Sequence, residues 1–209
     1  MKKLIICGAG GHGKVCADCA EQMGYTDIEF LDDLKSGDRV LKFPVSGRFD
    51  DIREYDKTDA EVFVAIGNNK LRCEMLKRFS EDGFAIATLV HPSAVVSKYA
   101  KVGEGVLVMP GAIINAGTQI GFGAIINTGV RVDHDCKIGV CAHLSPGAVL
   151  SGTVEVGDFS WLCSGSVVAN NTSVGRCSVV GAGSAVVKDV ADNVLVAGVP
   201  AVFKKKLSD

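Results

Sequence analysis

The sequence predicts an α/β domain followed by a three-sided parallel β-solenoid. A branched aliphatic residue stands at every sixth position from Val90 to Val186, without one insertion. Because six matches neither helical period of about 3.6 or 3.5 residues, this series predicts short strands instead of a helix. A glycine follows an aliphatic member at every eighteenth residue: Gly103, Gly121, Gly139, Gly157 and Gly175. Three sixes make eighteen, so each coil should hold three strands and three corners.

Small residues alternate with the large ones in this solenoid. Most positions two residues before an aliphatic member hold Ala, Ser or Thr, as at Ala112, Thr118 and Ser160. Side chains two apart on a strand share a face, so both kinds should point into a narrow core. We expect a triangular prism whose coils pack only on their neighbours.

Residues 1–85 lack the six-residue period and alternate strands with helices. The pattern predicts strands over 2–7, 27–31 and 61–66, helices over 14–23, 48–55 and 69–82, and a polar stretch over 35–42. This alternation indicates a small parallel sheet with helices on its faces. We therefore expect domains over 1–85 and 86–190, with a C-terminal turn and tail over 191–209. Residues 85–90 either close the sheet or lead into the solenoid, and Pro92 is a natural break between the two domains.

The composition argues against several classes of protein. Both signs of charge are mixed and the net charge is −2, which disfavours a nucleic-acid partner. No apolar run approaches the length of a membrane span, and the first residues read as a strand instead of a signal peptide. The eight cysteines are scattered, with only Cys16 and Cys19 close together. This usage predicts free thiols in a reducing cytoplasm and no metal site.

The segment Gly8-Ala9-Gly10-Gly11-His12-Gly13 matches G-x-G-x-x-G between a predicted strand and helix. Its glycines let the backbone approach a ligand, and the helix start presents N–H groups to phosphate. Asp32 and Asp33 follow the second strand at the distance expected of a ribose-binding acid. A nucleotide is therefore predicted, with a purely structural turn as the alternative. NAD is disfavoured because the domain is half of a doubled dinucleotide fold.

A second polar segment, Gly67-Asn68-Asn69, follows the third predicted strand of this domain. It should lie at the same carboxyl edge of the sheet, where ligands of open α/β sheets bind. The alternative is that Asn68 caps the next helix.

Two of the four histidines fall inside the solenoid but outside its aliphatic positions. His134 stands in Asp133-His134-Asp135, and His143 precedes Leu144. Carboxylates beside an imidazole raise its basicity and orient its ring, as a general base requires. A surface histidine in a charged corner is the alternative. A metal site would need ligands from different subunits, because the two histidines should lie on different sides of one prism.

Seven motifs carry a resemblance to a known family. They are the hexapeptide series, Gly-Ala-Gly-Gly-His-Gly at 8–13, Phe30-Leu31-Asp32-Asp33, Ala65-Ile66-Gly67-Asn68-Asn69, His91-Pro92-Ser93-Ala94, Asp133-His134-Asp135-Cys136-Lys137-Ile138-Gly139 and Gly198-Val199-Pro200-Ala201. Together they resemble the bacterial sugar acetyltransferases of the bacillosamine and sialic-acid O-acetyltransferase type. The resemblance implies a left-handed parallel β-helix, a homotrimer, and acetyl-CoA bound between neighbouring prisms. It is closest to enzymes that acetylate the 4-amino group of a UDP-linked amino-deoxy sugar.

The resemblance also implies roles for individual residues. His134 matches the general base, and Asp135 matches a glutamate that raises its basicity. Asp135 is one methylene shorter than that glutamate, so Asp133 is the alternative partner. His143 matches an acetyl-CoA contact, and Gly152 matches a backbone N–H that serves the thioester oxyanion and cofactor. Further matches are Ser164 and Ala182 for the pantetheine arm, Gly10, Gly11, His12, Asp32, Asp33 and Gly67 for the UDP-sugar, and Asn127 near the sugar.

The predicted reaction is direct acetyl transfer from acetyl-CoA without an acyl-enzyme. Two alternatives remain: an O-acetyltransferase acting on sialic acid or a related sugar, and a non-catalytic or metal-dependent β-helix protein.

The aliphatic series has no insertion, so no long loop can close a site over the prism. The N-terminal domain and the adjacent subunit should therefore hold the substrate. Lys204, Lys205 and Lys206 are expected to form a solvated tail, with contact to the CoA 3′-phosphate as the alternative.

Overall fold

The computed structural model describes residues 2–207; Met1, Ser208 and Asp209, at the outer limits of the predicted domains, lie outside them. The chain divides into two compact units, with the division between Pro92 and Ser93. This division lies at the predicted break near Pro92 and later in the chain than the expected limit after residue 85, so two short strands precede it: β6 Ala85–Ile86, which pairs with β5, and β7 Leu89–Val90.

The first unit is a small α/β fold. Its remaining elements are β1 Lys3–Cys7, α1 Gly11–Gln22, β2 Ile28–Leu31, β3 Arg39–Val40, β4 Phe43–Gly47, a 3-10 helix Phe49–Glu54, β5 Ala60–Val64 and α2 Asn69–Glu81. The strands form one sheet in the order β3-β4-β2-β1-β5-β6. The strands β2, β1 and β5 run parallel, and Leu4, Ile5 and Ile6 at their centre are fully buried. A run of apolar residues buried on both faces is typical of a central parallel strand.

Three local features of this unit refine the prediction. The helix α1 begins at Gly11 and not at residue 14, because the last glycines of the motif form its first turn. The polar stretch 35–42 contains β3, which pairs antiparallel with β4. The helix expected over 48–55 is a 3-10 helix.

The second unit is the predicted three-sided prism. Its two-residue strands are β8 Val95–Val96, β9 Lys101–Val102, β10 Leu107–Val108, β11 Ile113–Ile114, β12 Gln119–Ile120, β13 Ile125–Ile126, β14 Arg131–Val132, β15 Lys137–Ile138, β16 His143–Leu144, β17 Val149–Leu150, β18 Glu155–Val156, β19 Trp161–Leu162, β20 Val167–Val168, β21 Ser173–Val174, β22 Val179–Val180 and β23 Ala185–Val186. Each strand ends on a member of the aliphatic series, and from Val108 to Val186 every member is buried.

The strands stack in parallel with a register of eighteen residues, as in Ile114↔Val132, which confirms the second period. They form three sheets, and the first residue of each strand points outward. We call the sheet of β8, β11, β14, β17, β20 and β23 the apolar face. The sheet of β9, β12, β15, β18 and β21 is the polar face, and the sheet of β10, β13, β16, β19 and β22 is the histidine face.

A third six-residue period, at the corners, was not predicted. One residue in each hexapeptide from Gly105 to Gly183 has a positive φ. Most of these residues are glycines, for which that conformation is free of steric cost. The others are Asp135, Cys141, Thr153, Phe159, Asn171 and Cys177. Asp and Asn tolerate the left-handed region, whereas β-branched Thr153 is uncommon there.

Residues 194–206 form a hairpin, where a solvated tail was expected for the lysines. The strand β24 Val194–Ala197 pairs parallel with β22 and antiparallel with β25 Val202–Lys206. The peptide bond between Val199 and Pro200, in the turn between these two strands, is cis. Lys204, Lys205 and Lys206 therefore belong to a strand, and their side chains are exposed.

Candidate active site

His134 lies at the corner between the apolar and polar faces, between β14 and β15. Its neighbour Asp135 has a φ of 58°, so this corner turns through a residue type that tolerates the left-handed region. The turn brings Asp135 Oδ2 within 2.9 Å of His134 Nδ1. A proton on Nδ1 would donate to this carboxylate, leaving Nε2 as the acceptor nitrogen of the ring. Of the two carboxylates beside His134 in sequence, Asp135 is the one that contacts its ring nitrogen.

Asp133, at the same corner, binds the backbone of His134 and the preceding coil instead of the imidazole ring. Its Oδ1 accepts hydrogen bonds from the His134 backbone N–H at 2.8 Å and from Asn115 Nδ2 at 2.9 Å. Its backbone carbonyl accepts a hydrogen bond from Thr118 Oγ1 at 2.7 Å. Asn115 and Thr118 belong to the preceding coil and were not predicted as site residues. The signal that could have found Asn115 is its stacking position, eighteen residues before Asp133.

Two glycines make room for the His134–Asp135 pair. A β-carbon on Gly152 would lie 2.6 Å from His134 Nε2 and 2.7 Å from Cε1, both too close for contact. A β-carbon on Gly117 would collide with Asp135 Oδ1. Gly152 was singled out by the resemblance, whereas Gly117 was missed. The pair therefore occupies space that only glycine leaves open in the coils before and after it.

The charges at this corner raise the pKa of His134 above its ordinary value. The hydrogen bond to Asp135 is the largest cause, followed by the negative charge of Asp133, while desolvation acts in the opposite direction. The pKa of Asp133 is lowered, chiefly by the hydrogen bond from Asn115 and then by that from the His134 N–H. The imidazole is 57% exposed, so it is a basic group that solvent or a ligand can reach.

The backbone at Gly152 is arranged around the same imidazole. The Thr153 N–H, next in the chain, donates to the His134 carbonyl at 2.9 Å, and the Asn171 N–H donates to the Gly152 carbonyl at 3.1 Å. Gly152 is buried, and within residues 2–207 no protein group accepts a hydrogen bond from its N–H. A buried N–H beside an imidazole is a group that could stabilise an oxyanion.

A second cluster lies on the histidine face. The rings of His143 and Trp161 stack with centroids 6.0 Å apart and an interplanar angle of 16°. Asn127 Nδ2 lies 3.4 Å from His143 Nε2, and Trp161 Nε1 donates to Ser145 Oγ at 2.7 Å. Trp161 and Ser145 were not predicted as site residues, although Trp161 stands eighteen residues after His143. The structure thus brings Asn127 to His143.

The predicted residues of the prism fall on two sides of its apolar face. His134 and Gly152 share one corner. Ser164 and Ala182 share the corner between the apolar and histidine faces, where the Gly183 N–H donates to the Ser164 carbonyl at 2.9 Å. The apolar face separates the two groups within one chain. On that face a hollow of about 300 Å³ borders Asp133 and is also lined by Arg131.

In the first unit, two glycines of the glycine-rich turn are packed against backbone atoms and two others face open space. Gly8 has a φ of +113°, and a β-carbon on it would lie 2.8 Å from the Ala65 carbonyl oxygen. A β-carbon on Gly13 would collide with the Gly8 carbonyl. A β-carbon on Gly10 or Gly11 would meet nothing within 4 Å, and no side chain caps the start of α1. The turn therefore offers open backbone at a helix N-terminus.

The two acidic residues after β2 both accept hydrogen bonds from the backbone. Asp32 Oδ2 accepts from the Ala9 N–H at 2.8 Å, and Asp32 Oδ1 accepts from the Leu34 N–H at 2.9 Å. Asp33 Oδ1 accepts from the Phe49 N–H at 3.1 Å. Asp32 therefore fastens the glycine-rich turn to the end of β2.

The remaining predicted residues of this unit lie on the turns before the two helices. Asn68 accepts a hydrogen bond from the Leu71 N–H at 3.0 Å, so it caps α2. Gly67 is exposed, with open space at its α-carbon. Burial, with a smaller effect from the charge of Arg72, lowers the pKa of His12 to about 4. His12 is therefore a neutral imidazole at physiological pH.

Comparison with known proteins adds three findings. Residues 3–79 match the PglD N-terminal domain. A mutant of perosamine N-acetyltransferase from Caulobacter crescentus, in complex with CoA and GDP-perosamine, is 39% identical, covers 99% of this chain and 98% of that chain, and superposes with a TM-score of 0.94. The acetyltransferase domain of PglB from Neisseria gonorrhoeae FA1090, in complex with acetyl coenzyme A, is 40% identical over 97% of this chain and 99% of that chain, with a TM-score of 0.95.

The chain belongs to this family of left-handed β-helix sugar N-acetyltransferases. UDP-N-acetylbacillosamine N-acetyltransferase of Bacillus subtilis (strain 168) is 39% identical over 110 residues, which are 51% of this chain and 51% of that protein. The chain thus aligns with about half the length of this curated relative. The predicted family, its acetyltransferase class and its fold of a Rossmann-like domain and a left-handed β-helix are confirmed.

Two features are absent from the described part of the chain. Over residues 2–207, no group of three or more His, Cys, Asp or Glu side chains is placed to hold a metal ion. No helix in the same part of the chain is long and apolar enough to cross a membrane.

Proposed function

We propose that this protein transfers an acetyl group from acetyl-CoA to the 4-amino group of a UDP-linked amino-deoxy sugar. The observation that carries the proposal is His134. Its Nδ1 is engaged by Asp135, and its other ring nitrogen lies beside the gap left by Gly152. A raised pKa and a held tautomer are what a general base for an amine needs.

The chemistry is a direct displacement on the thioester. The sugar amine attacks the acetyl carbonyl, and His134 Nε2 accepts the proton that the nitrogen loses as the C–N bond forms. The Gly152 N–H stabilises the oxyanion, the C–S bond breaks, and CoA leaves as the thiolate. General-base catalysis contributes about 10² to 10⁴ in rate, and one oxyanion donor about 3 kcal/mol. Much of the remaining acceleration comes from holding both substrates in position.

The nucleotide would be held by the first unit. Open backbone at Gly10 and Gly11 and the start of α1 suit a diphosphate, since helix N-termini favour anions. Asp32 and Asp33 keep acceptor lone pairs beyond those used by the backbone, which suits ribose or sugar hydroxyls. His12 and Gly67 are the remaining residues proposed to bind the nucleotide sugar.

Acetyl-CoA would be held by two copies of the prism. His143, Ser164 and Ala182 lie beyond the apolar face from His134, so one chain does not bring them to a single surface. The apolar face exposes Val95 and Val167 by 62% and 43%, and its outward residues are mostly aliphatic. Covering such a face with another copy removes apolar area from water, at about 25 cal/mol per Å². We therefore propose that acetyl-CoA lies between subunits, in the closed homotrimer that the resemblance implies.

The most specific part of the proposal is that the nucleotide of the substrate is UDP. The Bacillus relative is named for a UDP-sugar, and the Caulobacter structure holds a GDP-sugar. A panel of UDP-linked and GDP-linked 4-amino sugars, assayed by thiol release from acetyl-CoA, tests it. We expect turnover with a UDP-linked amine and a matching thermal shift with UDP. Turnover only with GDP-linked amines would reassign the nucleotide, and an O-acetylated product would reassign the acceptor.

A further inference from the structure

Arg72 is a buried arginine that the proposed function does not use. It is 0% exposed and lies in the first turn of α2, in the unit that carries the glycine-rich turn. A guanidinium removed from water is costly unless its N–H groups find acceptors. Its partners therefore indicate which part of the protein it organises.

The guanidinium of Arg72 donates hydrogen bonds to the turn between β5 and α2. Nη1 donates to the Ile66 carbonyl at 2.9 Å and to the Gly67 carbonyl at 3.3 Å. Nη2 donates to Asn69 Oδ1 at 2.9 Å. The planar fork of arginine thus contacts three parts of this turn. Gly67 itself stays exposed, while its carbonyl is held by the buried guanidinium.

The positive charge of Arg72 also acts on the glycine-rich turn. Together with burial, which is the larger cause, it lowers the pKa of His12 to about 4. It acts on Cys16 of α1 in the same electrostatic sense, favouring the thiolate, although burial dominates there. Arg72 therefore acts on both turns, by hydrogen bonds on the Gly67 turn and by its charge on the glycine-rich turn, at the edge where open α/β sheets bind ligands.

We propose that Arg72 is a positioning residue, whose hydrogen bonds hold the Gly67 turn in the arrangement that receives the nucleotide sugar and whose charge helps to keep His12 neutral. It does not touch the substrate itself. A neutral imidazole carries one N–H donor and one acceptor nitrogen, whereas a charged one carries donors only. The inference rests on the proposed function for the identity of the ligand.

The test compares Arg72→Lys and Arg72→Met with Lys77→Met, a change of an exposed charge on the same helix. We expect both Arg72 variants to raise the KM for the UDP-amino sugar by about 10-fold to 100-fold, the range typical of misplaced binding groups. The KM for acetyl-CoA and kcat at saturating sugar should stay near wild type, as should every constant of Lys77→Met. Asn69→Ala, which removes one partner of the fork, should show a smaller rise in the same KM.

A titration of His12 by NMR, without any ligand, separates this proposal from the proposed function. Loss of the positive charge in Arg72→Met should raise the pKa of His12, while Arg72→Lys should change it less. If Arg72→Met does not fold, Arg72→Lys and Asn69→Ala carry the kinetic test. A lowered Tm with unchanged KM for the sugar, or equal rises in both KM values, would show a purely structural role. Absence of turnover in the wild type would instead overturn the proposed function and leave the titration as the test.

Discussion

The corner at His134 and the glycine-rich turn at His12 place the same side chain in opposite surroundings. His134 is largely exposed, and Asp135 and Asp133 raise its pKa. His12 is mostly buried, and burial and Arg72 lower its pKa to about 4. The charged neighbours of His134 adjoin it in sequence, whereas Arg72 comes from a distant part of the chain. The comparison teaches that one imidazole is built to take a proton and the other to remain neutral.

Replacing His134 and His12 one at a time should give the largest effects, and the two replacements should change different kinetic constants. We expect His134→Ala to lower kcat by about 10² to 10⁴, because the amine then loses its general base. His12→Asn should instead raise the KM for the nucleotide sugar and leave most of kcat. Steady-state kinetics with both substrates varied measures the two effects. Gln119→Ala, on the exposed polar face, is the control, and an unchanged kcat in His134→Ala would refute the assignment of the base.

Filling the gap beside His134 should have the next largest effect. In Gly152→Ala the new methyl group would overlap the imidazole, so the ring must move. A misplacement of about 1 Å can cost about 10²-fold in rate, and we expect a fall in kcat of that order. Gly152 does not have a positive φ, so conformational strain does not account for the loss. Wild-type kcat with an unchanged His134 environment by NMR would contradict this expectation.

Asp135, the carboxylate that contacts Nδ1, is expected to be the main reason that His134 is more basic than His12. Its removal should make His134 less basic. The base must be neutral to act, so kcat/KM should fall as pH drops through the pKa of His134. In Asp135→Ala that pKa falls, so the acidic limb of the profile should move to lower pH, with a plateau lowered about tenfold. Glu155→Gln, which removes an exposed carboxylate paired with Lys137 at 2.7 Å, is the matched control.

Gly117→Ala offers an independent approach to the same carboxylate. The methyl group would displace Asp135, and the positive φ of Gly117 adds strain. Gly111→Ala carries the same strain at a φ of +69°, with its nearest atom 4.0 Å away. Only Gly117→Ala should therefore shift the pH profile; equal shifts in both variants would remove the proposed role of this gap.

The smallest expected effect concerns stability and His12. Its pKa is lower in the folded state than in the unfolded chain, so the unfolded state binds more protons between about pH 6.5 and 4. Stability should therefore fall as pH drops through that window. In His12→Asn this part of the pH dependence should disappear, as measured by urea unfolding at several pH values. A wild-type dependence that persists in the variant would place its origin elsewhere.

The sequence predicted the parts of the fold that repeat and missed the parts that depend on stacking. The aliphatic series located the core of the prism, because a fixed period leaves few ways to bury those side chains. Asn115 and Gly117 were missed because they act on Asp133 and Asp135 from the preceding coil. Trp161 was missed because it acts on His143 from the following one. Contacts of this kind become visible only when residues eighteen apart are read as neighbours.

Arg72 was missed for a different physical reason. Arginine is seldom fully buried, so a sequence pattern gives no ground to expect a buried one that donates to the carbonyls of the Gly67 turn. In α2 its position resembles that of any charged residue on a short amphipathic helix. The acidic pair after β2 was found, but its hydrogen bonds to Ala9 and Phe49 depend on loop geometry that spacing does not reveal.

The central claim is that His134 is held as a basic imidazole with Nδ1 protonated and Nε2 ready to accept a proton. An NMR titration of the wild-type protein with labelled histidine tests it directly, with His12 as the internal comparison. We predict a pKa for His134 above its ordinary value of about 6.5, the Nδ1–H tautomer above that pH, and a pKa for His12 of about 4. A His134 pKa below 6.5, or a neutral ring protonated on Nε2, would contradict the account.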